Sequence, residues 1–296
     1  MTIAACYVSS EGVVLGADST STILVRDQPE PHYLNFAQKL FEFGDIPSTV
    51  GVVLWGLGAP GNKSWRTLIA EMADATWVAK PQTFEEAATL VATLFWDEYS
   101  SSYSDLLSQA KQLDGKGEQR TDDENQIWAN LYLALSGGMC LGGRWSPNRR
   151  PQAFQITFNP LMAAVPQSQE VPVGAPIFWG CPHLVERLNF GMDEALFDSI
   201  FSSEKWTGTR EELMNLVVDQ MLKPPDDLPL REAIDWVYSS ILTTIKGMKF
   251  SHLSPVCGGP IEVAVISSDR PFRWVCHKRM GEAIVVQKIE EKGVRA

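Results

Sequence analysis

The chain has 296 residues, of which 45% are hydrophobic and 21% charged, and its formal net charge is -11. That composition supplies apolar material for a substantial core, and the acidic balance excludes a protein that grips phosphate through a basic surface. Neither a basic leader with an apolar stretch behind it nor an apolar run of about 18 residues is present, so the expectation is no secretory signal and no membrane span.

Residues 2–8 are small, apolar or β-branched and read as a first strand. Ser9-Ser10-Glu11-Gly12 is turn chemistry, and Val13 to Ala17 reads as a second strand. The stretch from Arg26 to Tyr33 carries Pro29 and Pro31 and reads as a loop. Gln38 to Phe43 is a third expected strand, Asp45 to Ser48 a turn, and Gly51 to Trp55 a fourth strand. No helical pattern separates these strands, which argues for antiparallel pairing.

Helices follow. Trp65, Leu68, Ile69 and Met72 recur at helical spacing, and Thr83 with Glu86 forms a capping box ahead of Ala87, Leu90, Val91, Leu94 and Phe95. Residues 111–126 are polar and read as an exposed loop or helical excursion. Strands are expected at Leu131–Ser136, Ala153–Phe158 and Ile177–Trp179. Thr209 with Glu212 is a second capping box, and Ile234, Val237, Ile241 and Ile245 form an apolar stripe after the prolines of 224–229. Strands at Ile261–Ile266, Phe272–Cys276 and Ala283–Val286 close the pattern, and the charged residues 288–296 are expected to fray. Trp65, Trp77, Trp96 and Trp236 lie at helical spacing and read as core. No repeat or linker is visible, so one domain over 1–296 is expected, with sheets packed between helix layers.

Cys6, Cys140, Cys181, Cys257 and Cys276 are odd in number and widely spaced. They do not form a disulfide framework and point to a reducing cytoplasm. Cys181-Pro182-His183 and Cys276-His277 lack the tight paired spacing of zinc sites, so no metal is expected. Gly56-Leu57-Gly58-Ala59-Pro60-Gly61 matches the dinucleotide fingerprint but lacks the βαβ setting that would give it meaning, and no cofactor is expected. Arg144, Arg149 and Arg150 read as a solvated turn.

The first hairpin places chemistry. With its turn centred on Ser10 and Glu11, opposed residue numbers sum to about 21. Thr2 then faces Ser19, within a residue of Asp18. In the third strand Lys39 shares a face with Phe41 and Phe43, where it would be partly desolvated; the alternative is a strand-end lysine whose ammonium reaches water. Removal of Met1 would leave Thr2 with a free α-amino group.

Four segments together resemble the opening of a proteasome β-subunit and of the related bacterial ATP-dependent protease peptidase. They are Thr2-Ile3-Ala4, the run from Gly12 to Ser19, Gln38-Lys39-Leu40-Phe41, and the run from Val53 to Ala59. The run from Ser254 to Ile266, with its Cys257-Gly258-Gly259, is similar to that family's penultimate strand. Between these regions the likeness is topological only. The resemblance implies an α+β, four-layer αββα sandwich of the N-terminal-nucleophile hydrolase type. It implies a threonine-type peptidase that works through an acyl-enzyme. Thr2 would be the nucleophile and its own amine the base. Lys39 would supply positive charge, Asp18 would hold Lys39, and the Gly56 N–H would line an oxyanion hole. Thr22 and Gly58 match substrate-binding positions, Thr22 through backbone pairing with an added strand.

Departures from the family pattern stand beside this. Ser254, Cys257 and Cys181 replace the aspartate and two serines that orient the amine in the family. The chain is also longer than a usual β-subunit, with insertions expected at 100–128 and 186–230. The implied partners are a peptide or protein substrate and further copies of the chain; an ATPase unfoldase is left open, and neither nucleic acid nor membrane is expected. Two alternatives remain at this stage: a small-molecule amidase or acylase on the same fold, and a non-catalytic subunit of a proteasome-like assembly.

Overall fold

A computed structural model describes residues 2–23, 32–45, 48–203, 205–222, 225, 227–252 and 254–278. The chain opens with strands β1 (Ile3–Val8) and β2 (Gly12–Ala17), joined as a hairpin in which Ala4 faces Ala17 and Val8 faces Val13. The register is the one that the turn position dictates. Ser9 closes the turn, its N–H donating to Gly12 O at 2.9 Å.

Two short strands come next, β3 (Ser21–Ile23) and β4 (His32–Leu34), paired antiparallel as a small sheet of their own. The expected loop of residues 26–33 is corrected at its end, since His32 and Tyr33 pair with Ile23 and Thr22. β5 (Leu40–Glu42) and β6 (Val50–Gly56) follow, and then four helices: α1 (Trp65–Ala79), α2 (Phe84–Ser102), α3 (Ser104–Gly115) and α4 (Asp122–Leu135).

The strand expected at Leu131–Ser136 is the end of α4 instead. Thr121 and Glu124 form a complete capping box that starts this helix, and the next strand is β7 (Gly137–Arg144). Its glycines disguise it. A Cβ at Gly138 would lie 2.3 Å from the Trp55 ring, so close packing demands a residue type that sequence patterning reads as loop. At α2, Thr83 caps as expected, but the Glu86 carboxylate accepts from Gln82 N–H at 2.7 Å rather than from Thr83.

β8 (Pro151–Phe158), β9 (Ser168–Glu170) and β10 (Ile177–Gly180) complete the middle of the chain. Helices α5 (His183–Phe190), α6 (Glu194–Phe201), α7 (Arg210–Asp219) and α8 (Leu230–Lys249) precede β11 (Glu262–Ser267) and β12 (Arg273–Cys276). The ranges 100–128 and 186–230, where insertions are expected, hold α3 with the first half of α4, and the end of α5 with α6 and α7. The expected strand Ala283–Val286 and the charged end lie outside the described residues.

The strands form two antiparallel five-stranded sheets, ordered β10-β1-β2-β11-β12 and β5-β6-β7-β8-β9. Alternation along each strand sends side chains to two buried faces. Ala4, Cys6 and Val8 of β1 meet Val53, Cys140 and Ala153 between the sheets, while Ile3, Ala5 and Tyr7 meet Val237 and Ile241 of α8. On the far side, Val52, Leu54, Met139 and Leu141 pack on Phe84, Val91 and Phe95 of α2. The result is helix, sheet, sheet, helix, with a core layer at each of the three interfaces. Strands covered on both faces read as unbroken apolar runs, which explains β1 and β2. The helical tryptophans divide. Trp65 and Trp96 pack partly buried against the core, whereas Trp77 is 81% exposed, so its expected burial is overturned. Among the described residues no helix is long and apolar enough to cross a membrane.

Candidate active site

The site gathers where β1 begins and β2 ends. Because the hairpin register continues past its last strand pair, the Asp18 N–H donates to Ile3 O at 3.1 Å. The Asp18 side chain turns back on the same residue, its Oδ1 accepting from Ile3 N–H at 3.1 Å. The Lys39 ammonium donates to that oxygen at 2.7 Å. Oδ2 accepts from the backbone N–H groups of Thr20 at 3.1 Å and Gly258 at 2.9 Å. Asp18 is fully buried. A charge removed from water persists only when its lone pairs are met, and here an ammonium and three amides meet them.

Lys39 ends the segment before β5. Its carbonyl accepts from Leu54 N–H at 2.9 Å, which seats it beside β6. At 8% exposure it does not run out to water. Its ammonium ends on Asp18, whereas Phe41 and Phe43 belong to the core beneath α1 and α2.

Thr2 is buried, and β10 passes close above it. Gly180 faces Ile3 and has φ +86; a Cβ on it would lie 1.9 Å from Thr2 O. Both facts require glycine there. The next residue, Cys181, is buried beside Thr2. Cys257, adjacent to Gly258, is buried next to Cys181. The Cys181 thiol beside it, and then burial, push the Cys257 thiol well above its ordinary value, while the neighbouring Cys257 draws Cys181 down. Ser254 stands differently. It is exposed, and its carbonyl accepts from Val256 N–H at 2.8 Å.

Gly56 ends β6 opposite Gly137, is exposed, and has φ +79. A Cβ there would strike Ser136 O at 2.4 Å. Gly58 is exposed, with open space where a side chain would stand. Thr22 is half-buried in β3, opposite Tyr33. Thr2, Asp18, Lys39, Cys181 and Cys257 therefore converge through direct contacts and shared neighbours, while Thr22, Gly56 and Gly58 lie on β3 and at the end of β6.

Several residues escaped the sequence reading. Trp179 and Trp55 precede Gly180 and Gly56, and their rings stack across the two sheets at 4.4 Å with planes 3° apart. Trp179 Nε1 donates to Gln155 Oε1 at 2.8 Å. A stack of this kind contributes about 0.5–1.5 kcal/mol beyond its buried area. The tripeptide Trp179-Gly180-Cys181 was the available signal: a glycine between two bulky buried residues marks a close backbone approach. Among the described residues no group of three His, Cys, Asp or Glu side chains could hold a metal ion.

No family model matches the chain, and no curated protein does. A solved structure does resemble it: a mutant of Anbu from Hyphomicrobium sp. strain MC1, with a TM-score of 0.50 at 12% identity, covering 100% of this chain and 98% of that one. Anbu is a bacterial proteasome-like protein of the N-terminal-nucleophile hydrolase type. At such identity the likeness is one of architecture, and two antiparallel sheets enclosed by helices give this chain a proteasome-like fold.

Proposed function

We propose that this chain is an N-terminal threonine hydrolase that cleaves amide bonds in peptides, with Thr2 as its nucleophile once Met1 is removed. The observation that carries the reading is the buried ion pair of Asp18 and Lys39, 2.7 Å apart, bonded directly to the start of β1. A pair so costly to desolvate is best explained by a need for fixed charge at that point.

In this reading the Thr2 Oγ attacks the scissile carbonyl and its proton passes to the freed α-amine. The Lys39 ammonium favours the oxyanion character of Oγ, and Asp18 fixes that ammonium in place. The Cys181 thiol, buried beside Thr2, orients the amine. The tetrahedral oxyanion is stabilised by the Gly56 N–H, and its collapse returns the proton to the leaving amine. Water then hydrolyses the ester on Thr2 by the same path. The substrate lies extended between Thr22 and the turn at Gly58. The chain acts as one domain, assembles with copies of itself, and works in the cytoplasm.

Intact-mass analysis with and without a peptide epoxyketone tests the proposal. The expected result is a chain that begins at Thr2 and gains one inhibitor mass. A chain that keeps Met1, or starts at Thr2 and gains nothing, would overturn it and favour a scaffold subunit. Labelling without cleavage of any fluorogenic peptide would replace the peptide substrate with a small amide.

A further inference from the structure

A second buried acid–ammonium pair lies behind the first. Glu262 is in β11 opposite Ala17 and is fully buried. Its Oε2 accepts from Lys278 Nζ at 3.1 Å. Its Oε1 lies 2.7 Å from Nδ1 of His277 without receiving an aligned hydrogen bond, and the His277 ring stacks on Trp274 at 4.1 Å. Lys278 makes one more bond, donating to the backbone carbonyl of Ala37 at 3.0 Å.

That last bond matters because residues 37–39 belong to no strand. Ala37 N–H donates to Ser19 O at 2.9 Å, Leu54 N–H donates to Lys39 O at 2.9 Å, and Lys278 holds the carbonyl between them. A coil segment aims its side chain only as well as its anchors fix it. Burial lowers the pKa of Lys278, its attraction to Glu262 opposes this, and the charges of Arg66 and Lys39 lower it further. The two ammonium groups are thus electrostatic neighbours, each balanced by its own carboxylate. An apolar pair at these positions would avoid the desolvation cost.

We propose that Glu262 and Lys278 are positioning residues for the hydrolase: through the Ala37 carbonyl they fix the 37–39 segment and so hold Lys39 on Asp18 beside Thr2. The inference rests on the reading of Thr2 as nucleophile. The charged groups that bear on it are Glu262, His277, Arg66, Lys39 and Asp18.

The test uses the full chain and the rate at which a peptide epoxyketone labels Thr2, measured from about pH 6 to 9, a span that brackets the ordinary α-amine value. Lys278→Met is expected to keep a cooperative melt and to label roughly tenfold more slowly, through the maximal rate and not the half-saturating concentration. Lys278→Arg should recover most of the rate. Losing the Lys278 cation favours the protonated amine, so the rising limb of the profile moves to higher pH. Glu262→Gln leaves that cation unbalanced, so the limb moves to lower pH. A purely structural role would not shift the two in opposite directions. Should Lys278→Met fail to fold, the Glu262→Gln and Lys278→Arg profiles carry the comparison. Folded variants with the wild-type rate and profile would overturn the positioning role while leaving the hydrolase reading intact. A wild-type chain that is never labelled would overturn both.

Discussion

Asp18 concentrates the geometry of the site in one side chain, since it binds Lys39, the start of β1 and the Cys257-Gly258 turn at once. Replacing it by alanine leaves the Lys39 ammonium buried without its carboxylate. The expected loss is about 3–5 kcal/mol, read by urea denaturation, together with loss of Thr2 labelling. Gly180→Ala tests the site by shape alone. The positive φ and the approach to Thr2 O leave no room for a methyl group, so Thr2 must move, and labelling is expected to vanish. Gly58→Ala is the contrast, because nothing lies near the added methyl, and its thermal midpoint should match wild type. At this scale the sequence was partly readable. Hairpin arithmetic alone put Asp18 beside Thr2. It could not show where Lys39 would point, because that residue precedes its strand and face alternation does not govern it. Glu262 and Lys278 left no signal, since their partners are 16 and 241 residues away.

Among the elements, α4 depends unusually on its cap. Of its residues only Leu135 is buried, so packing contributes little to holding the helix. Thr121→Ala is expected to destabilise it by about 1 kcal/mol, measured as faster amide exchange over 122–130. The β1–β2 turn is tied to the chain ahead of α8 by Ser10, whose N–H and hydroxyl both reach Asp227, at 3.0 and 2.5 Å. Those bonds, the hydroxyl first, lower the Asp227 pKa. A depressed carboxyl value means that this tether stabilises the fold above the unfolded value of about 3.9 and is lost as pH falls through the lower folded value. Ser10→Ala should therefore lower the melting temperature at neutral pH and make less difference in acid. Elements with strong caps or periodic apolar faces, such as α2 and α8, were legible in the sequence. β7 was not, because its glycines serve close packing and imitate a loop. β3 and β4 were not, being too short to show alternation.

The whole molecule is two sheets face to face; the order of strands and helices pointed to sheets between helix layers, and the family resemblance implied the four-layer sandwich. The three core layers and the pairing of the second with the penultimate strand needed coordinates. The parallel indoles of Trp55 and Trp179 rivet the two sheets together at the same end where each sheet turns through its glycine. A slip of one sheet over the other would pull the rings apart, so the stack opposes sliding at the end of the sandwich where Thr2 sits.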